Sequence, residues 1–298
     1  MITYRHYHES DFPAVLEVLN RSHSHDEFSE PLLLEKLNDC KEDASEFYCA
    51  FSDSILCGFL MIVIRRLPTG PTAFIKLISV LPEFQKRGIG KQLLKQAEAF
   101  AAVHACKTMR FYDVPKNYFM PGIDPFYTHT VVFAERNGFV KIGDTSNLES
   151  DLSQNWNTEK EESGLLKIGC ICKRASNEDY PELLAWILRE FPLWEFELVQ
   201  ALNQDPCAVH LAYYHHELIA FAAHSSNNSS LAWFGPMGTS PKSRGKGIGA
   251  VLLKRCLQDL KLQGFKKAVI PWVGPIPFYS KFANAKISRV FWRYEKHL

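Results

Sequence analysis

The sequence predicts an α+β fold, a mixed and mostly antiparallel sheet with flanking helices, built twice along the chain. Two internal matches and one recurring order of elements carry that reading. Glu9 to Leu19 (ESDFPAVLEVL) matches Asn177 to Leu188 (NEDYPELLAWIL), with Asp11-Phe12-Pro13 aligned on Asp179-Tyr180-Pro181. Gln85-Lys86-Arg87-Gly88-Ile89-Gly90, followed by KQLLKQ, matches Arg244-Gly245-Lys246-Gly247-Ile248-Gly249, followed by AVLLKR. Both matches recur about 160 residues later, well past the period of a solenoid and close to the size of one domain.

Each copy shows the same elements in order. A short strand (Ile2 to Tyr7; Lys167 to Lys173) leads to a helix with Ser or Asp at its cap and Pro in its first turn, the usual signature of a helix N-terminus. Three strands joined by tight turns follow. They are FYCAF, ILCGFLMIVI and TAFIKLISV in the first copy, and AVHLAYY, LIAFAAH and LAWFGPMGT in the second. The separators, such as Ser52-Asp53-Ser54 and Leu67-Pro68-Thr69-Gly70-Pro71, are turn formers. Next come the glycine motif and a helix with leucines at helical spacing (Gly90 to His104; Gly249 to Gln263). A further strand (TMRFYDV; KAVIPWV), a late helix and a final strand close each copy.

The expected domains are therefore residues 1–146 and 165–298, joined by a polar linker at 147–164. That linker is rich in Asn and Ser, and its acidic run at Glu159, Glu161 and Glu162 reads as a solvated stretch.

Composition excludes several function classes. With 34 Lys and Arg against 33 Asp and Glu, the formal charge is +1, so no global field is available to hold a nucleic-acid backbone or an anionic membrane. The longest apolar run, Ile55 to Ile64, stops at Arg65-Arg66, well short of the roughly 20 residues that span a bilayer. The N-terminal MITYRHYHESDF carries no basic segment followed by an apolar core, which points to the cytoplasm. The cysteines at 40, 49, 57, 106, 170, 172, 207 and 256 form no C-x-x-C pair and read as reduced packing thiols. The pairs His6/His8, His23/His25 and His215/His216 lack companion ligands at metal-binding spacing, so no metal is expected.

The glycine motif carries the chemistry. A strand running into Q/R-x-x-G-x-G that immediately opens a helix presents consecutive backbone N–H groups at the positive end of that helix, where phosphate oxygens bind. Side chains at the glycines would block close approach. A dinucleotide fingerprint needs a third glycine where Leu93 stands, and a Walker loop needs Ser or Thr where Gln92 follows Lys91, so neither fits.

These motifs resemble those of the GNAT superfamily of acetyl-CoA-dependent N-acetyltransferases, in which Q/R-x-x-G-x-G/A lies between the fourth strand and the third helix. Gln85, Gly88 and Gly90 match it, as do Arg244, Gly247 and Gly249. The resemblance covers nearly the whole chain apart from the linker and implies two tandem GNAT domains. It also implies that the pantetheine arm of acetyl-CoA lies between splayed fourth and fifth strands. The pyrophosphate would then rest on the amides of Lys86, Arg87, Gly88, Ile89 and Gly90, or of Gly245, Lys246, Gly247, Ile248 and Gly249. Backbone near Val80 and Thr239 would contact the cofactor as well.

The resemblance also suggests a general acid, a Tyr within a pattern like F-Y-x-x-x-G-F. Phe278-Tyr279 begins that pattern, although Ala283 and Asn284 replace Gly-Phe, while the first copy keeps Gly138-Phe139 and has Ala134 in place of the Tyr. Tyr118 or Tyr127, from the long loop PKNYFMPGIDPFYTHT, are alternatives there, and that loop reads equally as a lid or a packing surface. The Glu that family members often carry on the fourth strand is replaced by Lys76 and by Gly235, leaving Asp113 or His224 as bases. Trp194 and Phe196 fall where the family places a substrate-facing segment, and they read equally as core. The expected function is acetyl transfer to the amine of a small molecule or peptide, with the second copy catalytic, by a monomer or homodimer. The alternatives are catalysis in the first copy or a non-catalytic acyl-CoA-binding protein.

Overall fold

A computed structural model of the chain describes residues 1–38 and 43–298; Cys40 lies outside the described residues. The chain divides into two compact units, 1–145 with 290–298, and 146–289.

In the first unit, β1 (Ile2–His6) leads through a capping box, His8 with Asp11, into α1 (Phe12–Ser22). Pro13 sits in the first turn of α1, and Val15, Val18 and Leu19 turn inward at helical spacing. Helix α2 (Glu30–Leu37) starts at Ser29, whose hydroxyl accepts the amide of Leu32. Strands β2 (Ser45–Ser52), β3 (Ile55–Leu67) and β4 (Gly70–Val80) form an antiparallel meander. The near-continuous apolar run of β3 reflects cover on both faces, with α1 and α3 (Ile89–Val103) packed on it. Strand β5 (Thr108–Phe111) lies parallel to β4, and α4 (Thr128–Arg136) precedes β6 (Val140–Asp151).

The second unit repeats the plan. Helix α5 (Glu159–Lys167) leads to β7 (Cys170–Arg174), and a Ser176/Asp179 capping box leads to α6 (Tyr180–Glu190) and α7 (Glu195–Leu202). The antiparallel strands β8 (Val209–Tyr214), β9 (Glu217–His224) and β10 (Phe234–Thr239) complete the order β10-β9-β8-β7. Helix α8 (Ile248–Leu262), β11 (Lys267–Ile270), α9 (Ile276–Ala283) and β12 (Lys286–His297) follow. One core lies under α8 and α9, around Leu252, Leu253 and Leu257; another lies under α6 and α7, around Leu183, Ile187 and Leu198.

The structure departs from the sequence reading in three places. First, the final strands are exchanged: residues 290–298 belong to the first unit, where β12 pairs with β5, and Leu148–Asp151 of β6 pair with β11 in the second. Ladder bonds are made by backbone groups, so closeness in sequence does not decide which strand fills a sheet edge. Second, the expected linker at 147–164 is built structure. Asn147 and Ser150 are buried because backbone groups satisfy them: Trp272 N–H donates to Asn147, and the Ser150 hydroxyl donates to the Ala283 carbonyl. The acidic run opens α5, where Glu161 pairs with Lys254 and Glu162 takes Arg255 at 2.8 and 2.9 Å. Third, α2 and α7 are short helices that the sequence reading passed over.

The seven cysteines among the described residues carry free thiols. No helix among the described residues is long and apolar enough to cross a membrane, and none of their His, Cys, Asp and Glu side chains gather in threes to hold a metal.

Candidate active site

The two glycine loops are built alike. Beyond β4, the Leu81 amide donates to Cys57 O, and the Gln85 side chain donates to Val80 O at 3.1 Å. Beyond β10, the Ser240 amide donates to Ile219 O, and the Arg244 Nε donates to Thr239 O at 3.3 Å. Gln85 and Arg244 thus brace each loop against the end of its own strand, and the Val80 and Thr239 carbonyls accept those braces. Gly88 and Gly247 then open α3 and α8 with φ of +81 and +82, a conformation that favours glycine, and a β-carbon on either would meet nothing within 4 Å.

Ile89 and Ile248 are buried. Among the described residues no backbone acceptor takes the amides of 86–90 or of 245–249. Each row of donors sits at the positive end of a 15-residue helix, a geometry that suits an anion. The side chains differ: Arg87 bends back to Glu83 O, whereas the Lys246 ammonium stands 4.1 Å above the Tyr214 ring.

The gap beside the fourth strand separates the copies more sharply. Strands β4 and β5 pair only through Ala73/Met109, Phe74/Arg110 and Ile75/Phe111, so β4 has no partner in that ladder from Lys76 to Val80. Strands β10 and β11 meet at a single bridge, Trp233/Val269. Both fourth strands carry an irregularity at the matching place, between Ile75 and Leu77 and between Phe234 and Met237; such bulges redirect side chains beside active sites.

In the first unit, Tyr112 turns to φ +63 and its hydroxyl donates to Ile78 O at 3.3 Å, along the edge that β5 leaves free. Tyr112 is buried, as is every β4 residue from Thr72 to Ser79. In the second unit Pro271 follows β11, and Gly235, Pro236, Met237 and Thr239 remain partly exposed. A proline inside a strand fits only where the edge lacks a ladder partner, and Pro236 marks that open edge.

Tyr279 lies at the far end of the open edge. Its ring is 6.0 Å from that of Phe234 and 5.1 Å from that of Phe278, and its hydroxyl makes no hydrogen bond among the described residues. Burial pushes its pKa up to about 12, so it stays protonated at neutral pH. In the first unit the corresponding helix presents buried Ala134.

The remaining candidates sit elsewhere. Trp194 stacks on Phe191 at 4.7 Å, and the Phe191 ring packs directly on Gly238 of β10. Phe191 is the aromatic that touches the fourth strand, and its place three residues before Trp194 is the sequence signal that points to it. Phe196, on α7, is half-buried and makes no ring contact among the described residues. His224 is buried and bonded to Ser225 and Asp259, which removes it as a base. Asp113 is buried against Arg110 and Arg293; burial pushes its carboxyl up to about 7, against the pull of both guanidiniums. In the long loop, the Tyr127 hydroxyl donates to Asp26, and the Tyr118 carbonyl accepts from Lys36. The Tyr127 side chain and the Tyr118 backbone are thus tied to the segment after α1 and to α2 in the first unit.

Comparison with known proteins bears on the family and the fold. The model of the acetyltransferase (GNAT) family matches residues 12–119 and 172–282. No curated protein matches the chain. Among solved structures, a GCN5-related glucosamine N-acetyltransferase region of a fungal multi-domain GH3 β-N-acetylglucosaminidase is similar at 19% identity and TM-score 0.85, covering 99% of this chain. The chain spans only 38% of that protein's length. A GCN5-related N-acetyltransferase from Sphaerobacter thermophilus is similar at 15% identity and TM-score 0.74, covering 99% of this chain and 95% of that one. A tandem GNAT protein from the clavulanic acid biosynthesis pathway is similar at 15% identity and TM-score 0.72, covering 100% and 98%. At these identities the likeness is one of fold.

Proposed function

The chain belongs to the GNAT family of acetyltransferases, and from that premise we propose that it moves the acetyl group of acetyl-CoA to the amine of a small molecule or peptide, with the chemistry in the second unit. One observation carries the choice of unit. The free edge of β10 runs from the unpaired amides of 245–249 to Phe234, whose ring lies 6.0 Å from that of Tyr279, whereas Tyr112 occupies the matching edge in the first unit.

The coenzyme supplies a thioester carbonyl open to attack. The amides of Gly245 to Gly249 would hold its pyrophosphate, with Lys246 adding positive charge, and the β10 edge back from Thr239 would align the arm. The acceptor nitrogen, neutral when it attacks, forms the new C–N bond as the C–S bond breaks. Tyr279 donates its proton to the leaving sulfur, and the proton released from nitrogen goes to solvent. The first unit serves as a scaffold; Tyr112 argues against catalysis there.

We place the protein in the cytoplasm, acting as a monomer or homodimer. The test is a calorimetric titration with acetyl-CoA, for which one site per chain is expected. Two sites would make the first unit live as well, and none would overturn the cofactor assignment. Thiol release with a panel of amines that includes glucosamine, the sugar named for the fungal structure, then separates an enzyme from a non-catalytic acyl-CoA binder.

A further inference from the structure

We propose that the second unit accepts acyl thioesters longer than acetyl, up to at least the four-carbon butyryl chain, with the alkyl end lying over Gly235. This rests on the acyl-CoA reading above and goes beyond it in naming the donor class.

The position of the acyl end follows from length. With the pyrophosphate at the amides of 245–249, an extended arm runs antiparallel to the chain along β10 from Thr239. The four steps from Thr239 to Gly235 span about 13 Å at the rise of an extended strand, a distance that an extended pantetheine arm covers. That brings the thioester beside Gly235 and Phe234, and the Phe234 ring is 6.0 Å from Tyr279.

The wall there is missing a side chain. A β-carbon on Gly235 would meet nothing within 4 Å, and the residue is partly exposed. The strand glycines Gly70 and Gly143 are open in the same way, whereas at Gly58 it would lie 3.0 Å from Ser79 O, and at Gly238, on the same strand as Gly235, it would lie 2.6 Å from the Phe191 ring. The first unit places Lys76, a long and buried side chain, at the bulge that matches Gly235.

The surroundings suit an alkyl chain. The Gly235 carbonyl accepts from the Ser226 hydroxyl, and Pro236 has no N–H to leave unsatisfied. Phe234 and Met237 flank the gap, the latter with a thioether that adapts to irregular space. The reaction is unchanged by chain length: the acyl C–S bond breaks, the C–N bond forms, and the sulfur leaves as a thiol. Each methylene taken out of water is worth about fourfold in affinity.

The experiment is calorimetry on the full chain with CoA, acetyl-CoA and butyryl-CoA. Butyryl-CoA is expected to bind at the same stoichiometry as acetyl-CoA and up to about fifteenfold more tightly. Butyryl-CoA binding tenfold or more weakly while acetyl-CoA still binds would overturn the proposal; failure of CoA and acetyl-CoA to bind would instead overturn the cofactor reading. Gly235→Ala should weaken butyryl-CoA more than acetyl-CoA. Because its φ of +120 strains any side chain, a second measurement keeps the wild-type protein. A butyryl-CoA analogue with a terminal diazirine should label Ser226 or residues 234–237, and labelling confined to α6 and α7 would overturn the proposal.

Discussion

The ring of Phe278 stands 3.5 Å from the point that a β-carbon on Gly249 would occupy. Phe133 stands 3.2 Å from the same point on Gly90, so the late helix of each unit docks against its glycine loop through the same residue. That equivalence puts Ala134 in the place of Tyr279 by geometry. Tyr279→Phe should therefore lower kcat about a hundredfold or more, as loss of a general acid does, with KM for acetyl-CoA little changed. The hydroxyl has no hydrogen bond among the described residues, so the melting temperature should stay the same. Loss of activity matched by loss of stability would argue against the assignment.

The pH profile follows from the same residue. The Tyr279 pKa lies near 12, so its proton is in place across the working range. Activity should climb as the acceptor amine loses its proton and should show no falling limb below about pH 11, one unit under that value. A falling limb near pH 9 that disappears in Tyr279→Phe would show that the hydroxyl titrates lower than its burial implies.

Gly247→Trp tests the phosphate cradle, since its side chain would fill the open space before the amides. Acetyl-CoA binding should be lost by more than a hundredfold. Part of any stability change comes from the left-handed φ, which costs a side chain about 1–2 kcal/mol. Gly88→Trp carries the same strain and serves as the control: it should leave the count of acetyl-CoA sites unchanged.

Much of this site was legible in the sequence because its signals are local. The glycines at 88, 90, 247 and 249 announce a turn and a helix N-terminus within a few residues, and the repeat locates both. What distinguishes the copies was present too, as Gly235-Pro236 against Lys76-Leu77, but a proline reports an open edge only once the strand's neighbours are known. The plug was less legible still, because Tyr112 reads as the continuation of a strand until φ +63 turns it aside. The exchanged final strands depend on pairing between distant segments, which no local pattern encodes. The same holds for α5, whose glutamates look solvated until Lys254 and Arg255 face them.

Tyr112 predicts its own perturbation. Removing only its hydroxyl bond to Ile78 O, in Tyr112→Phe, should cost about 1 kcal/mol. Tyr112→Ala empties a buried ring site and should cost about 3–5 kcal/mol, the range for large aromatic truncations. Neither should change catalysis if the first unit is a scaffold, so a fall in kcat with Tyr112→Phe at temperatures where the protein remains folded would return the chemistry to that unit.

Asp259 anchors the second unit. Its carboxylate accepts from His210 at 2.7 Å, from His224 at 3.3 Å and from Arg174 at 2.7 Å. Burial alone would raise its pKa, but the three donors outweigh burial and hold it well below the usual carboxylate range. A depressed carboxylate contributes stability that is present above its unfolded pKa of about 4 and is lost as pH falls further. Burial lowers the pKa of His210, the stronger influence there than Asp259, so protonating that ring also favours unfolding as pH drops below about 6.5. Both effects have the same sign, so the unit should melt at progressively lower temperature from about pH 6 downward. Asp259→Asn leaves Arg174, about a third exposed, without its counter-charge and should cost about 1–3 kcal/mol at neutral pH, while flattening the acid side of the melting curve. An unchanged acid slope in that variant would move the pH sensitivity to another group.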